Sequence, residues 1–326
     1  MSALLASPLH LVGRFDNPFT GGERHLLELG RRLAGRRPVL LWSDVAPHSW
    51  YAQQGVQPIR PFARQFPKGG MLLIGGVHVQ TGLWAAHARP ERVALLYNLA
   101  SHQRLFGMIE SLREATACEP EMLFASESFR LATGLPGIVE PSWIDLSPFL
   151  AVPLQRPTGR PVTVGRMSRD VPDKHHPDDP ALYRLLAARG WRVRIMGGTC
   201  LESRLAGVAG VELLPTGAEA PQDFYQSLDI FFYRTGAMVE AYGRVVVEAM
   251  AAGLPVVAAT VGGYTDAVQA GLSGYLVRSQ EEAHDLLMRL AADPAPRAQM
   301  GGAARLRAQA LHSDEATESL LQFYLR

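Results

Sequence analysis

Glu240 and Glu248 stand eight residues apart in the segment 240–257, E-A-Y-G-R-V-V-V-E-A-M-A-A-G-L-P-V-V. An apolar run ends near Tyr233, a loop carries Glu240, and Gly243 permits close backbone approach just before a helix-like stretch, 244–252. A helix N-terminus presents free amide groups and the positive end of a dipole, which suits a phosphate. Two carboxylates beside it do not suit a bare anion. They suit a polyol, because an ionised carboxylate accepts two hydroxyl hydrogen bonds at once. Phosphate and hydroxyls together describe a nucleotide sugar. The plainer alternative has Glu240 capping the helix and Glu248 on its solvated face, and for either carboxylate alone both readings stay open.

A second group of residues invites a metal reading. His175, His176, Asp178 and Asp179 are adjacent, enclosed by Pro177 and Pro180. Neighbouring residues point in different directions, so one ion would be hard to surround, and no metal is expected. Arg31, Arg32, Arg36 and Arg37 crowd the end of the first helix-like segment. Cations suit a helix C-terminus, and that reading is preferred to contact with an anionic membrane surface.

The elements that must position these residues follow from hydrophobic patterning. Residues 9–13, 39–43, 71–76, 93–97 and 122–126 read as short buried strands, with helical spacing around Leu26, Leu29 and Leu33 and across 105–117. Pro148, Pro153, Pro157 and, just beyond, Pro161 give residues 147–160 the composition of a linker. The pattern then resets, with strands expected at 162–164, 192–196, 211–213, 229–233 and 256–259. Helices are expected at 181–189, 244–252, 281–291 and 296–311. Alternating strands and helices imply parallel sheets covered on both faces. The chain is therefore expected to be α/β, with two halves, each binding ligand at the carboxyl ends of its strands.

Composition removes other classes. The 326 residues are 47% apolar and 19% charged, which is globular. Lys plus Arg number 32 against 31 Asp plus Glu, so nothing argues for a nucleic-acid partner. Cys118 and Cys200 alone cannot build a disulfide framework, and a reducing, cytoplasmic compartment is the expectation. The longest apolar stretch, 245–260, is broken by Glu248, Gly253 and Pro255 and is no membrane span. Residues 1–11 lack a basic segment ahead of a long apolar one, so no secretory leader is expected.

The Glu-x7-Glu segment resembles the donor-binding signature of the family 4 retaining glycosyltransferases of the GT-B fold, with Ala241 and Tyr242 where that family commonly has Gly and Phe. Residues 19–29 (F-T-G-G-E-R-H-L-L-E-L) resemble its N-terminal glycine loop and first helix. The stretch V-G-R-M-S from Val164, with Lys174 following, resembles its G-R…K phosphate element. Residues 144–149, Gly262-Gly263 and residues 271–277 resemble later elements in the same order.

The resemblance implies GT-B architecture: two facing Rossmann-like domains with a cleft between them. Residues 1–154 would form the acceptor-side domain and 155–311 the nucleotide-sugar domain, with 312–326 a helix crossing back. It implies that Arg166 and Lys174 grip the diphosphate, with Arg169 lying between them. Glu248 would take the ribose hydroxyls, and Glu240 the donor sugar or the charge at its anomeric carbon. The amides of Ala241, Tyr242 and Gly243 would face sugar and phosphates, Gly21 and Gly22 the diphosphate, and 214–217, with Thr216, the base. His78, Asn98 and His102 follow strands in the acceptor half. The family's usual histidine position holds Tyr97, so His102 or Asn98 would serve in its place. The implied reaction is sugar transfer from a nucleoside diphosphate to a hydroxyl acceptor with retention and without metal or cofactor, the leaving phosphate serving as base. The arginines at the first helix end would, in the membrane reading, meet a lipid-linked acceptor. Domain closure would exclude water. A sugar-nucleotide epimerase on the same fold, or a non-catalytic sugar-nucleotide binder, would share the pocket but not the transfer.

Overall fold

The computed structural model describes residues 7–157 and 159–326. Residues 1–6 of the N-terminal stretch and Thr158 of the proline-rich segment therefore lie outside the described residues. The chain divides into two compact units: residues up to Ile144 together with Asp314–Arg326, and Asp145–Ser313.

The first unit contains a seven-stranded sheet of β1 (Leu9–Gly13), β2 (Val39–Ser43), β3 (Gln57–Pro58), β4 (Met71–Ile74), β5 (Arg92–Tyr97), β6 (Glu121–Phe124) and β7 (Ile138–Val139). Its order is β3-β2-β1-β4-β5-β6-β7, with every pairing parallel. Such a sheet needs apolar residues on both faces, which is why β1 and β4 are buried at every position. Helix Gly21–Leu33 covers one face through Leu26, Leu29 and Leu33, all fully buried. Helix His102–Thr116 buries Leu105, Met108, Ile109 and Leu112. Its start is fixed by Ser101, whose hydroxyl accepts from the Arg104 amide.

The terminal helix Asp314–Leu325 completes this unit. Leu321, Phe323 and Tyr324 join the core of Leu9, Leu11 and Leu29. The Tyr324 hydroxyl donates to Glu140, whose other oxygen accepts from Trp143 Nε1 at 2.9 Å and lies 2.9 Å from His25 Nε2. A carboxylate buried this deeply needs donors, and Tyr324 and Trp143 supply one to each oxygen.

The second unit has a six-stranded parallel sheet of β8 (Thr163–Met167), β9 (Arg192–Met196), β10 (Val211–Leu214), β11 (Ile230–Tyr233), β12 (Val256–Ala259) and β13 (Gly274–Val277). The order β10-β9-β8-β11-β12-β13 is the doubly wound Rossmann arrangement, reversing direction between β8 and β11. Helices Asp179–Ala188, Arg244–Ala251, Gln280–Ala292 and Pro294–Leu311 are its longest. The last two are separated by Asp293, which caps the second through the Ala295 amide.

Two boundaries differ from the sequence reading. The unit division falls after Ile144 rather than after residue 154, because the proline-rich stretch contains a short helix, Ser147–Leu150, belonging to the second unit. Phe149 there packs edge-on against Tyr225, with ring centroids 5.7 Å apart. Strand β8 runs to Met167 rather than ending at 164, which places Arg166 inside the sheet. Among the described residues no helix is long and apolar enough to cross a membrane.

Candidate functional site

In the second unit, the carboxyl ends of β8 and β11 border the switch point, where an open α/β sheet binds ligand. Lys174 and Glu240 meet there. Lys174 Nζ donates to Glu240 Oε1, and the Tyr233 hydroxyl donates to the same oxygen at 2.6 Å. Both side chains are mostly but not wholly buried. Burial alone would raise the Glu240 carboxyl, but the charge and hydrogen bond of Lys174, then Tyr233, outweigh it and hold Glu240 below the ordinary carboxylate value. Glu240 is therefore an anion with one oxygen occupied, held in place rather than capping a helix.

The cap position of helix Arg244–Ala251 belongs to Gly243, and no side chain caps it. Gly243 adopts φ 80°, and a Cβ there would lie 2.7 Å from the Tyr264 ring. Glycine is required both by the left-handed backbone and by the ring. Glu248 lies on the same helix, mostly buried; its Oε2 accepts from the Tyr225 hydroxyl at 3.2 Å and its Oε1 lies 3.8 Å from Arg244. The solvated-face alternative for Glu248 thus does not describe it. Ala241 and Tyr242 are buried, the Tyr242 hydroxyl 2.9 Å from His312 Nε2.

Arg166 does not fit the role expected of it. It is fully buried, and its guanidinium donates to the backbone oxygens of Arg234, at 2.8 Å, and Lys174. It stacks over the Tyr233 ring at 4.8 Å and lies 3.7 Å from Asp179 Oδ2. A side chain with both terminal nitrogens so engaged ties Lys174 and the end of β11 to β8 instead of reaching a diphosphate. Arg169, half-exposed, donates to the Met238 sulfur at 3.5 Å and its charge acts on Glu240, which makes it the arginine placed toward this cluster. The extension of β8 through Arg166, beyond the strand end read at 164, is what sets this side chain in the sheet. Tyr225 and Tyr233, which orient the two carboxylates, were not singled out; each stands on the sheet or the helix beside it, where only the fold reveals its partner.

The His/Asp group is dispersed. Asp179 is fully buried and bonded to Arg234, His175 lies against the Gly197 carbonyl at 2.8 Å, and Asp178 is exposed. Burial, then Arg166, push His175 down to about 4. Thr216 Oγ1 donates to the Ser168 carbonyl at 3.4 Å, which joins the loop after β10 to the end of β8.

In the first unit, the structure brings Asn98 to the glycine loop. Asn98 Nδ2 donates to Gly75 at 3.1 Å, and a Cβ on Gly22 would lie 3.0 Å from that nitrogen. Gly21 opens the same helix. His102 is exposed and stacked on Tyr97, centroids 6.4 Å apart. His78 Nε2 lies 3.4 Å from Glu23 Oε1. The arginines at the first helix end are consumed locally. Arg32 pairs with Glu28 and covers Trp143, Arg36 binds Glu318, and Arg37 binds the Ser7 and Tyr324 carbonyls. Arg31 pairs with Glu28 and Gln54. Their positions favour the structural reading over the membrane one.

Comparison with known proteins agrees with this architecture. Residues 200–307 match the family described as Glycosyl transferases group 1. The chain is similar to D-inositol 3-phosphate glycosyltransferase of Nocardiopsis dassonvillei, 38% identical over 130 residues, covering 37% of this chain and 29% of that protein. It is also similar to the protein of the same name from Mycobacterium leprae, 44% identical over 92 residues, covering 27% and 21%. The matched stretches thus span less than a third of these relatives' length. Among solved structures, Anabaena HepE in complex with UDP and glucose superimposes with TM-score 0.72 at 17% identity, over 97% of this chain and all of that one. Sucrose-phosphate synthase from Thermosynechococcus elongatus gives 0.70 at 20%, over 98% of each. The fold is GT-B, built of two Rossmann-like units with parallel sheets, and the match to the group 1 glycosyl transferase model lies within the second unit.

Proposed function

We propose that this protein is a retaining glycosyltransferase of the family 4 type, which moves a sugar from a nucleoside diphosphate to a hydroxyl acceptor without metal. The observation that carries the proposal is the Lys174–Glu240–Tyr233 cluster at the switch point of the second sheet, beside the uncapped helix that bears Glu248. A diphosphate needs cations and amides; Lys174, Arg169 and the helix N-terminus supply them. A ribose needs an acceptor of paired hydroxyl bonds, which Glu248 provides, and Thr216 lies at the neighbouring strand end for the base. Glu240, an anion with one oxygen engaged, faces the donor sugar with the amides of Ala241, Tyr242 and Gly243.

In the reaction the bond from the anomeric carbon to the phosphate oxygen breaks and a bond to the acceptor oxygen forms on the same face. The acceptor proton passes to the departing phosphate, whose negative charge Lys174 and Arg169 stabilise. The first unit would hold the acceptor near Asn98, with His102 at the rim, and the glycines at 21 and 22 admit a diphosphate closely. The structural relative that binds UDP and glucose makes uridine diphosphate the first nucleotide to try.

The test is a thermal-shift screen with uridine, guanosine and adenosine diphosphates, since a ligand that binds only the folded chain raises its apparent stability. One nucleotide should stabilise the protein, and Glu248→Ala should abolish the shift. No shift with any of the three would refute the reading.

A further inference from the structure

The family that the segment 240–257 resembles commonly has Phe at the position of Tyr242, so the tyrosine hydroxyl is extra to the motif. The ring is buried, and burial pushes the hydroxyl above its ordinary value, so it stays protonated at neutral pH. A hydroxyl on a buried ring needs a partner, and this one has His312 Nε2, 2.9 Å away. The two rings meet edge to face, with centroids 6.3 Å apart and an interplanar angle of 76°. The charged groups that act on the hydroxyl are Arg244, Arg307 and Asp266.

His312 stands at the C-terminal cap of helix Pro294–Leu311. It precedes Ser313, where the second unit ends, and from Asp314 the chain forms the terminal helix of the first unit. A second tie runs from the same helix to the same turn. Arg307 Nε donates to the Ala267 carbonyl at 3.2 Å and Nη2 to the Asp266 carbonyl at 3.1 Å. These carbonyls end the short helical turn Gly263–Asp266, whose Gly263 amide donates to the Glu240 carbonyl at 2.7 Å. Helix Pro294–Leu311 and its cap therefore hold residues 240–243 at two points, Glu240 and Tyr242.

Gly243, next in the chain and at φ 80°, has backbone freedom that a side-chain tie on its neighbour removes. Where the amides of this turn point is then decided from outside the turn.

We infer that His312 is a positioning residue for this turn: through the Tyr242 hydroxyl it fixes the direction of the amides of residues 241–243, and it couples their occupancy to the segment where the chain leaves the second unit. The inference rests on the transferase reading for its ligand, but His312 is separate from the groups that would touch that ligand. Such coupling is reciprocal: what the tie contributes to ligand binding, the ligand contributes to the tie.

Inorganic pyrophosphate and the diphosphates of uridine, guanosine and adenosine serve as probes on the full chain, with binding followed by calorimetry and backbone order by amide hydrogen exchange. His312→Phe keeps the ring contact and removes the nitrogen, and Tyr242→Phe keeps the ring and removes the hydroxyl. Each should weaken binding of pyrophosphate and of the best-bound nucleotide about three- to tenfold, the range for one neutral hydrogen bond, and the double variant should lose no more than either alone. His312→Gln, which brings a side-chain amide to the place of the ring nitrogen, should recover most of the loss. Without ligand, exchange at residues 241–243 should be faster in His312→Phe than in the unaltered protein. With ligand, exchange at residues 312–314 should slow in the unaltered protein and not in that variant. A merely packing role would lower stability and leave binding by the folded fraction unchanged. Binding by His312→Phe equal to that of the unaltered protein, additive losses in the double variant, or exchange at 312–314 indifferent to ligand would overturn the inference. An unaltered protein that binds none of the probes would refute the transferase reading and the inference with it, a failure told apart because it precedes any substitution.

Discussion

Lys174 and Glu240 are ion-paired through Glu240 Oε1, although 66 residues separate them and their charges suggest different parts of a donor. The pair carries a linked expectation for stability. Removing one partner strands a largely buried charge, whereas removing both leaves none. Lys174→Met should cost about 2 kcal/mol, less than the figure for a fully buried pair because both groups keep some exposure. Lys174→Met/Glu240→Gln should cost less than the two single changes added together. Denaturant titration of the four proteins measures the coupling.

The same pair sets an acid limit. Glu240 is held below its ordinary carboxylate value in the folded chain, so it binds a proton less readily there than when unfolded. Its contribution is complete above pH 4.5 and is lost as pH falls through the lower, folded value. His175 adds to the loss over a higher range. Its value falls from 6.5 to about 4 on folding, so the unfolded chain takes up a proton first and stability declines between those limits. The loss should approach about 2–3 kcal/mol at pH 4. His175→Asn should flatten the slope of stability against pH from 6.5 to 4, a difference read from unfolding midpoints.

Gly243→Ala should destabilise the second unit by about 2 kcal/mol, from an alanine held at positive φ and a methyl pressed into the Tyr264 ring. Displacing the start of helix Arg244–Ala251 should also weaken nucleoside diphosphate binding, measurable by calorimetry on the fraction that remains folded.

Tyr225→Phe tests whether Glu248 must be oriented. The hydroxyl contacts Glu248 at 3.2 Å and the Val245 carbonyl at 3.0 Å. Its loss should cost about 1 kcal/mol in stability and weaken nucleoside diphosphate binding several-fold, less than Glu248→Ala does. Equilibrium titration of both variants with the best-bound nucleotide separates the two effects.

Much of this arrangement could be read before any coordinates. Strands such as β4 and β11 are buried at every position and announce themselves as continuous apolar runs, and Gly243 marks the start of its helix. The two-residue edge strands β3 and β7 are too short to show a period. Helix Ser147–Leu150 hides among prolines because its identity comes from Phe149 meeting Tyr225. Arg166 was misassigned for a related reason: sequence shows a cation near a strand end, but only packing shows it turned inward onto Tyr233. The terminal helix was anticipated from the resemblance, yet nothing in its sequence tells that Tyr324 closes over the buried Glu140.

The most direct measurement is a crystal structure of the protein with the sugar conjugate of whichever nucleoside diphosphate stabilises it most. The pyrophosphate is expected within hydrogen-bond distance of Lys174 Nζ and the first amides of helix Arg244–Ala251, with the ribose hydroxyls on Glu248 and the sugar against Glu240. A donor lodged elsewhere, with Lys174, Glu240 and Glu248 untouched by it, would contradict the assignment of this turn as the donor site.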